Sequence, residues 1–147
     1  MRSAAEVNAR AKGLACGAAT ALGRLGPRIL LRMETDKMRV AMLDDYQGVA
    51  LTLADWASLP PGIEVDAFGD HLTDETAIAE RLRGFDIVVA MRERTPFPAS
   101  LLGRLPNLRL LVTTGAWNAS IDVAAATERR IVVCGTRGLG WPTAELT

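Results

Sequence analysis

Two short stretches of this sequence carry what is needed to hold a small anion. In Met91-Arg92-Glu93-Arg94-Thr95-Pro96-Phe97, Arg92 and Arg94 offer planar, permanently charged forks that match a carboxylate. In Thr113-Thr114-Gly115-Ala116-Trp117-Asn118, Gly115 lets the backbone approach a ligand closely, and neighbouring N–H groups can then grip an oxyanion. Each stretch also has a plainer role. An Arg-Glu-Arg loop is commonly a solvated cluster of ion pairs, and a glycine after an apolar run is commonly only a turn. Local sequence taken alone favours the plainer roles.

Three other groups could do chemistry by type. Asp44-Asp45 resembles the acidic pair that holds Mg²⁺ in a phosphorylatable receiver domain. That design also needs an acceptor Asp after the third strand and a Lys after the fifth, where this chain has Met91-Arg92 and Cys134-Gly135. Helix capping or surface solvation is therefore the expected role of the two acids. His71 is a general base by type, but its place between a strand and a capped helix predicts an exposed or capping residue at the periphery. Gly135-Thr136-Arg137-Gly138-Leu139-Gly140 departs from G-x-G-x-x-G and is followed by Pro142, so a turn is expected there rather than a dinucleotide loop. Cys16 and Cys134 lie far apart and outside any metal-ligand spacing. They point to a reduced, cytoplasmic protein, and a single histidine excludes multi-histidine metal sites.

The elements that must position these loops follow from periodicity. Short apolar runs at residues 39–43, 108–112 and 131–134 predict strands, and the run from Ile87 to Met91 is unbroken, as expected for a strand buried on both faces of a parallel sheet. Ile63-Glu64-Val65-Asp66-Ala67 alternates with period two, which predicts a half-covered edge strand. Apolar residues at helical spacing predict a helix over residues 51–59, stopped by Pro60-Pro61-Gly62. A second helix is expected with Thr73 as N-cap and Ile78, Leu82 and Phe85 on one face, closed by Gly84. A third opens at Pro98 and runs through Leu101, Leu102 and Leu105, and a fourth spans residues 121–129 with Ser120 as cap. Strict alternation with short connections predicts a doubly wound, flavodoxin-like α/β domain with a five-stranded parallel sheet in the order 2-1-3-4-5. The ligand edge of such a sheet lies at the carboxyl ends of its strands, where the two candidate loops fall.

Bulk composition fits one soluble domain: 147 residues, 49% hydrophobic, 23% charged, net charge zero. The charge is unevenly spread. Residues 1–32 hold six basic groups and one acid, against 11 basic and 16 acidic groups in the remainder. An acidic body is a poor partner for nucleic acid, and no apolar run of about 18 residues exists to span a membrane. Residues 1–36, rich in Ala, Gly and Arg, read as a disordered or non-native extension rather than a targeting leader, since no clean apolar segment precedes a cleavage site.

The segments Leu108 to Asp122 (LRLLVTTGAWNASID), Ala124 to Val133 (AAATERRIVV) and Thr143-Ala144-Glu145-Leu146-Thr147, preceded by Arg94-Thr95-Pro96-Phe97, resemble the D-isomer-specific 2-hydroxyacid dehydrogenases over about residues 38–147. The resemblance implies an oxidoreductase that moves hydride between NAD or NADP and a D-2-hydroxy or 2-oxo acid, homodimeric when complete. It implies that residues 37–142 form the substrate-side domain and that residues 143–147 begin the helix entering a nucleotide-binding domain. It also implies a substrate wall built from Arg92, Arg94, Phe97, Thr114, Gly115, Ala116 and Trp117, with the amides of residues 114–116 as donors. The family's catalytic Arg, Glu and His and its glycine loop fall after residue 147, so the expectation is a fragment without turnover or bound cofactor of its own. Two departures stand out. Trp117 occupies a place where many relatives have Gly or Arg, and Arg130 replaces a common Gly at a helix end where left-handed geometry costs about 1 kcal/mol. The alternative reading is a non-catalytic, receiver-like interaction module. A downstream strand followed by G-x-G-x-x-G would favour the enzyme.

Overall fold

The computed structural model describes residues 37–136. The expected leader over residues 1–36, the turn beyond Thr136 and the helix start at residues 143–147 lie outside the described residues. Five parallel strands, β1 (Met38–Met42), β2 (Ile63–Ala67), β3 (Ile87–Ala90), β4 (Leu110–Thr113) and β5 (Val132–Gly135), form one sheet in the order β2-β1-β3-β4-β5. Three helices, α1 (Glu75–Leu82), α2 (Ala99–Leu102) and α3 (Val123–Glu128), fall between β2 and β3, β3 and β4, and β4 and β5. Both the fold class and the strand order match the expectation from the sequence.

Right-handed crossovers explain how the core divides. The chain steps one way from β1 to β2 and the opposite way thereafter, so the first connection must cross one face and the helices the other. The side chains obey this. Ala41, Val88, Ala90 and Leu111 pack under Ile78 and Leu82 of α1, Leu101 and Leu102 of α2, and Ala125 and Ala126 of α3. On the opposite face Val40, Met42, Ile87, Val89, Leu110 and Val112 meet Ala50, Trp56 and Leu59 from the first connection. Each fully buried Leu, Ile or Val side chain contributes about 1.5–3 kcal/mol, so the sheet is fixed chiefly by these two layers.

Residues 51–59 do not form the expected helix. They make two 3₁₀ turns, Ala50–Thr52 and Trp56–Ser58. Thr52 Oγ1 bonds the Val49 carbonyl at 2.8 Å and Ser58 Oγ the Asp55 carbonyl at 2.7 Å, local bonds that compete with a continuous helix. The Trp56 indole N–H donates to the Ala50 carbonyl at 2.9 Å and folds the two turns onto each other.

Two caps shift as well. Asp74, not Thr73, accepts from the Ala77 N–H at 2.8 Å, because a carboxylate one residue nearer the helix reaches the open amide. Asp122, not Ser120, caps α3 through the Ala125 N–H at 2.9 Å. Ser120 is held elsewhere, and Ile121 is drawn into a bridge with Phe97, so the helix cannot begin until residue 123. Leu105 lies beyond the end of α2 yet is buried against the same layer.

Candidate functional site at the carboxyl edge of the sheet

The strand order reverses between β1 and β3, and the loops leaving β1, β3 and β4 meet at that edge. The β3 and β4 loops are tied together directly. The Arg92 N–H donates to Thr114 Oγ1 at 3.1 Å, and the Arg92 carbonyl accepts from Asn118 Nδ2 at 2.6 Å. Asn118 is buried and saturated. Its Nδ2 also donates to Thr113 Oγ1 at 3.0 Å, and its Oδ1 accepts from the Ser120 N–H at 2.9 Å and the Ser120 hydroxyl at 2.7 Å. These bonds hold Arg92 at φ +51°, a left-handed conformation that costs a non-glycine residue about 1–2 kcal/mol. Nothing in local sequence marks Asn118 as the clasp, because its partners lie on the neighbouring loop.

The Gly115 loop is more engaged than expected. The Thr114 N–H donates to the Ala90 carbonyl at 3.0 Å, and the Gly115 N–H to Thr136 Oγ1 at 2.9 Å. Thr136 answers by donating its own N–H to the Gly115 carbonyl at 2.8 Å. Among the described residues the N–H groups of Ala116 and Trp117 make no hydrogen bond, so the free donors of this rim lie at residues 116–117 rather than 114–115. Gly115 has φ +151°, which explains the glycine, and Trp117 projects its ring outward with 75% exposure.

Arg92 and Arg94 are both exposed at the same edge. The expected Arg-Glu-Arg ion-pair cluster does not form. Among the described residues neither arginine pairs with a carboxylate. The Arg94 guanidinium instead lies 4.6 Å over the Tyr46 ring and reaches the Asp44 carbonyl at 3.4 Å. Phe97 leaves the proposed wall. Its side chain is fully buried in the core, and its backbone bonds Ser120 and Asp122 at 2.8 and 3.0 Å. An apolar ring at the end of a loop anchors that loop when the core beneath has room for it.

Asp44 and Asp45 divide their roles. Asp45 caps as expected, accepting from the Val49 and Ala50 N–H groups at 3.2 and 3.0 Å. Asp44 is no surface acid. Its side chain is 1% exposed, at φ +59°, with Oδ2 accepting from the Thr95 hydroxyl at 3.0 Å. Its Oδ1 accepts from Tyr46 at 3.4 Å and lies 2.7 Å from His71 Nδ1. His71 is exposed, as expected, but the loop after β2 carries it back over β1 onto a buried carboxylate. The second loop acid, Asp70, takes both Arg81 nitrogens at 2.9 and 2.7 Å, and that guanidinium holds its carboxyl below the ordinary range.

No grouping of His, Cys, Asp and Glu among the described residues could hold a metal ion. Cys134 is a free, half-buried thiol on β5, and Cys16 lies outside the described residues. A Cβ on Gly135 would stand 2.6 and 2.7 Å from the Ala116 and Gly115 carbonyl oxygens, so its small size serves internal packing and not a phosphate. Residues 137–140 of the glycine-containing turn lie outside the described residues. No described helix is long and apolar enough to cross a membrane.

Residues 40–147 match the sequence profile of the D-isomer specific 2-hydroxyacid dehydrogenase, catalytic domain. The chain belongs to this family. Among solved structures it is similar to a phosphoglycerate oxidoreductase from Vibrio cholerae O395 at 38% identity and TM-score 0.66, covering 74% of this chain and 34% of that one. A putative D-3-phosphoglycerate dehydrogenase from Ralstonia solanacearum is 33% identical with TM-score 0.66, covering 74% of this chain and 33% of that one. The apo-structure of D-lactate dehydrogenase from Escherichia coli shares the fold at 19% identity and TM-score 0.50, covering 67% of this chain and 31% of that one. No curated protein matches significantly. The chain spans about a third of the length of these solved relatives. For this 2-hydroxyacid dehydrogenase domain, the clasped loops after β3 and β4 are therefore the candidate substrate wall.

Proposed function

We propose that the chain supplies the substrate-side domain of an NAD- or NADP-dependent oxidoreductase acting on the CH–OH group of D-2-hydroxy acids, or on 2-oxo acids in reverse. The observation that carries this reading is the Asn118 clasp. It ties the loop carrying two exposed cations, Arg92 and Arg94, to the loop carrying the N–H groups of Ala116 and Trp117 at the ligand edge of the sheet. Charged forks and donors converging on one edge suit a carboxylate, and pre-ordering them lowers the cost of binding.

On this reading residues 37–142 are the substrate-side domain and residues 143–147 lead toward a nucleotide-binding domain. The active protein is a cytoplasmic homodimer that acts on a small acid and does not engage nucleic acid or membrane. The dinucleotide, which supplies the hydride donor or acceptor, is held by residues other than those described. Hydride transfer needs that group placed against the substrate carbon and an acid–base residue on the oxygen, so the 147-residue chain alone gives no turnover.

The test has two parts. The purified chain, mixed with NADH and glyoxylate or hydroxypyruvate, should leave the NADH absorbance unchanged. Amide resonances of Arg92, Ala116 and Trp117 should shift on addition of millimolar D-lactate. Turnover by the chain would overturn its proposed inactivity. Unmoved resonances at all three residues would overturn the substrate wall.

A further inference from the structure

One cluster at the ligand edge has no role in the wall just described. Asp44, buried at the end of β1, gathers Thr95 from the β3 loop, Tyr46 from its own loop and His71 from the loop after β2. An ionised carboxylate only accepts, so the His71 nitrogen 2.7 Å away is the one that carries the proton. The ring is thereby fixed through Nδ1, while 30% of the side chain stays exposed. Nε2, on the far side of the ring, has no partner among the described residues; in the neutral ring it is an acceptor, and it donates to an anion only when it carries a proton as well, with Asp44 facing the charged ring from behind. The arrangement orients an imidazole the way buried carboxylates orient functional histidines.

The position of the ring sets what it could touch. Along the edge the rim at Ala116 follows β4, the arginine loop follows β3, and Asp44 with His71 stands over β1. Neighbouring strands are about 4.8 Å apart, so the imidazole is about 10 Å from the rim. A three-carbon acid spans only about 5 Å at carbon–carbon bonds of roughly 1.5 Å, and its second end would stop at the arginines. Only a longer acid reaches His71. The groups it would meet on the way are Arg94, stacked on Tyr46, and then the imidazole; of the nearby carboxylates Asp44 is buried behind the ring, Asp70 is engaged by Arg81, and Glu93 is exposed between the two arginines.

We propose that His71, oriented by Asp44, is a specificity-determining residue that contacts a second anionic group, carboxylate or phosphate, on the 2-hydroxy acid substrate. This rests on the substrate wall proposed above and extends it across β1. Asp44 is a positioning residue that acts only through the ring and the Thr95 contact.

His71 is the only histidine of the chain, so its imidazole signals identify themselves in a long-range ¹H–¹⁵N spectrum. In the unliganded 147-residue chain Nδ1 should be the protonated nitrogen of the neutral ring, and in Asp44→Asn this preference should be lost. D-lactate should move the amides of Arg92, Ala116 and Trp117 but not the His71 signals. D-2-hydroxyglutarate and 3-phospho-D-glycerate should move both, and the arm with the larger Nε2 shift tells carboxylate from phosphate. Their affinity should exceed that of D-lactate by about two- to fivefold, the scale of a partly exposed ion pair, and His71→Ala should abolish the excess. His71 is exposed, so this variant keeps the test open if Asp44→Asn fails to fold. Rim amides that move with every acid while His71 responds to none, or responds equally to D-lactate, overturn this inference and leave the substrate wall standing. No movement anywhere with any acid overturns both.

Discussion

Replacing Gly135 by Ala should loosen the rim from below. The added Cβ would lie 2.6 Å from the Ala116 carbonyl oxygen and 2.7 Å from that of Gly115, inside a floor of 3.0 Å that real Cβ atoms respect. Both obstacles are backbone, so no side chain can swing aside. The Gly115 carbonyl also accepts from the Thr136 N–H at 2.8 Å, and moving it outward stretches that bond. Forced overpacking costs about 1–3 kcal/mol, and loss of the bond adds roughly 1 kcal/mol. A total of about 2–4 kcal/mol in a domain of roughly 100 residues lowers Tm by about 8 °C or more. Thermal melts followed by circular dichroism measure this, with the amide shifts of Ala116 and Trp117 reporting whether the rim moved. A Gly135→Ala chain that melts within about 2 °C of the parent, with unchanged amide shifts, would refute the claim that β5 braces a preformed rim.

Other perturbations separate stability from binding. Arg130 stands at φ +60°, so Arg130→Gly relieves left-handed strain and should raise stability by about 0.5–1 kcal/mol in urea titration, less what the freer unfolded chain gives back. Asp70 is held below its ordinary value of 3.8 by Arg81, so its contribution is present above pH 3.8 and is lost as the pH falls through the lowered value. Acid-unfolding curves of the parent and Asp70→Asn should therefore differ above that pH and converge below it. The gap should shrink in high salt, because both groups are solvent-accessible. Trp117→Ala removes a ring that is 75% exposed and should leave stability within about 0.5 kcal/mol while weakening acid binding in the amide-shift titration.

The sheet was legible because its signals are local. Unbroken apolar runs at Ile87 and Leu110 and the alternation at Ile63 report burial directly, and the crossover rule converts their order into a topology. The strain at Arg130 was legible for the same reason, since helix ends commonly close on a left-handed residue and a non-glycine stands there. The site was legible only in outline. Which loops approach the ligand edge follows from topology, but which donors remain available depends on contacts between residues far apart in sequence. Thr136 occupies the Gly115 amide from 21 positions away, and His71 reaches Asp44 from 27. The misread stretch at residues 51–59 has the opposite cause. Its apolar spacing is helical, but the Thr52 and Ser58 hydroxyls donate to the backbone carbonyls of Val49 and Asp55, local partners that periodicity ignores.

The same contacts explain a pattern at the three central strands. β1, β3 and β4 each end within two residues of a positive φ, at Asp44 (+59°), Arg92 (+51°) and Gly115 (+151°). Only the last is glycine, so the first two conformations cost about 1–2 kcal/mol each and need outside support. The support is specific. Thr95 and His71 hold Asp44, while Thr114 and Asn118 hold Arg92. Strain maintained at successive strand ends on one edge, by bonds between the loops themselves, is what a preorganised binding surface requires. If the edge were only a set of turns, Asn at 44 and Gly at 92 would satisfy the backbone equally well. Replacing the residues by these should then leave acid binding untouched, whereas a built site loses its orienting carboxylate in one variant and a cationic fork in the other.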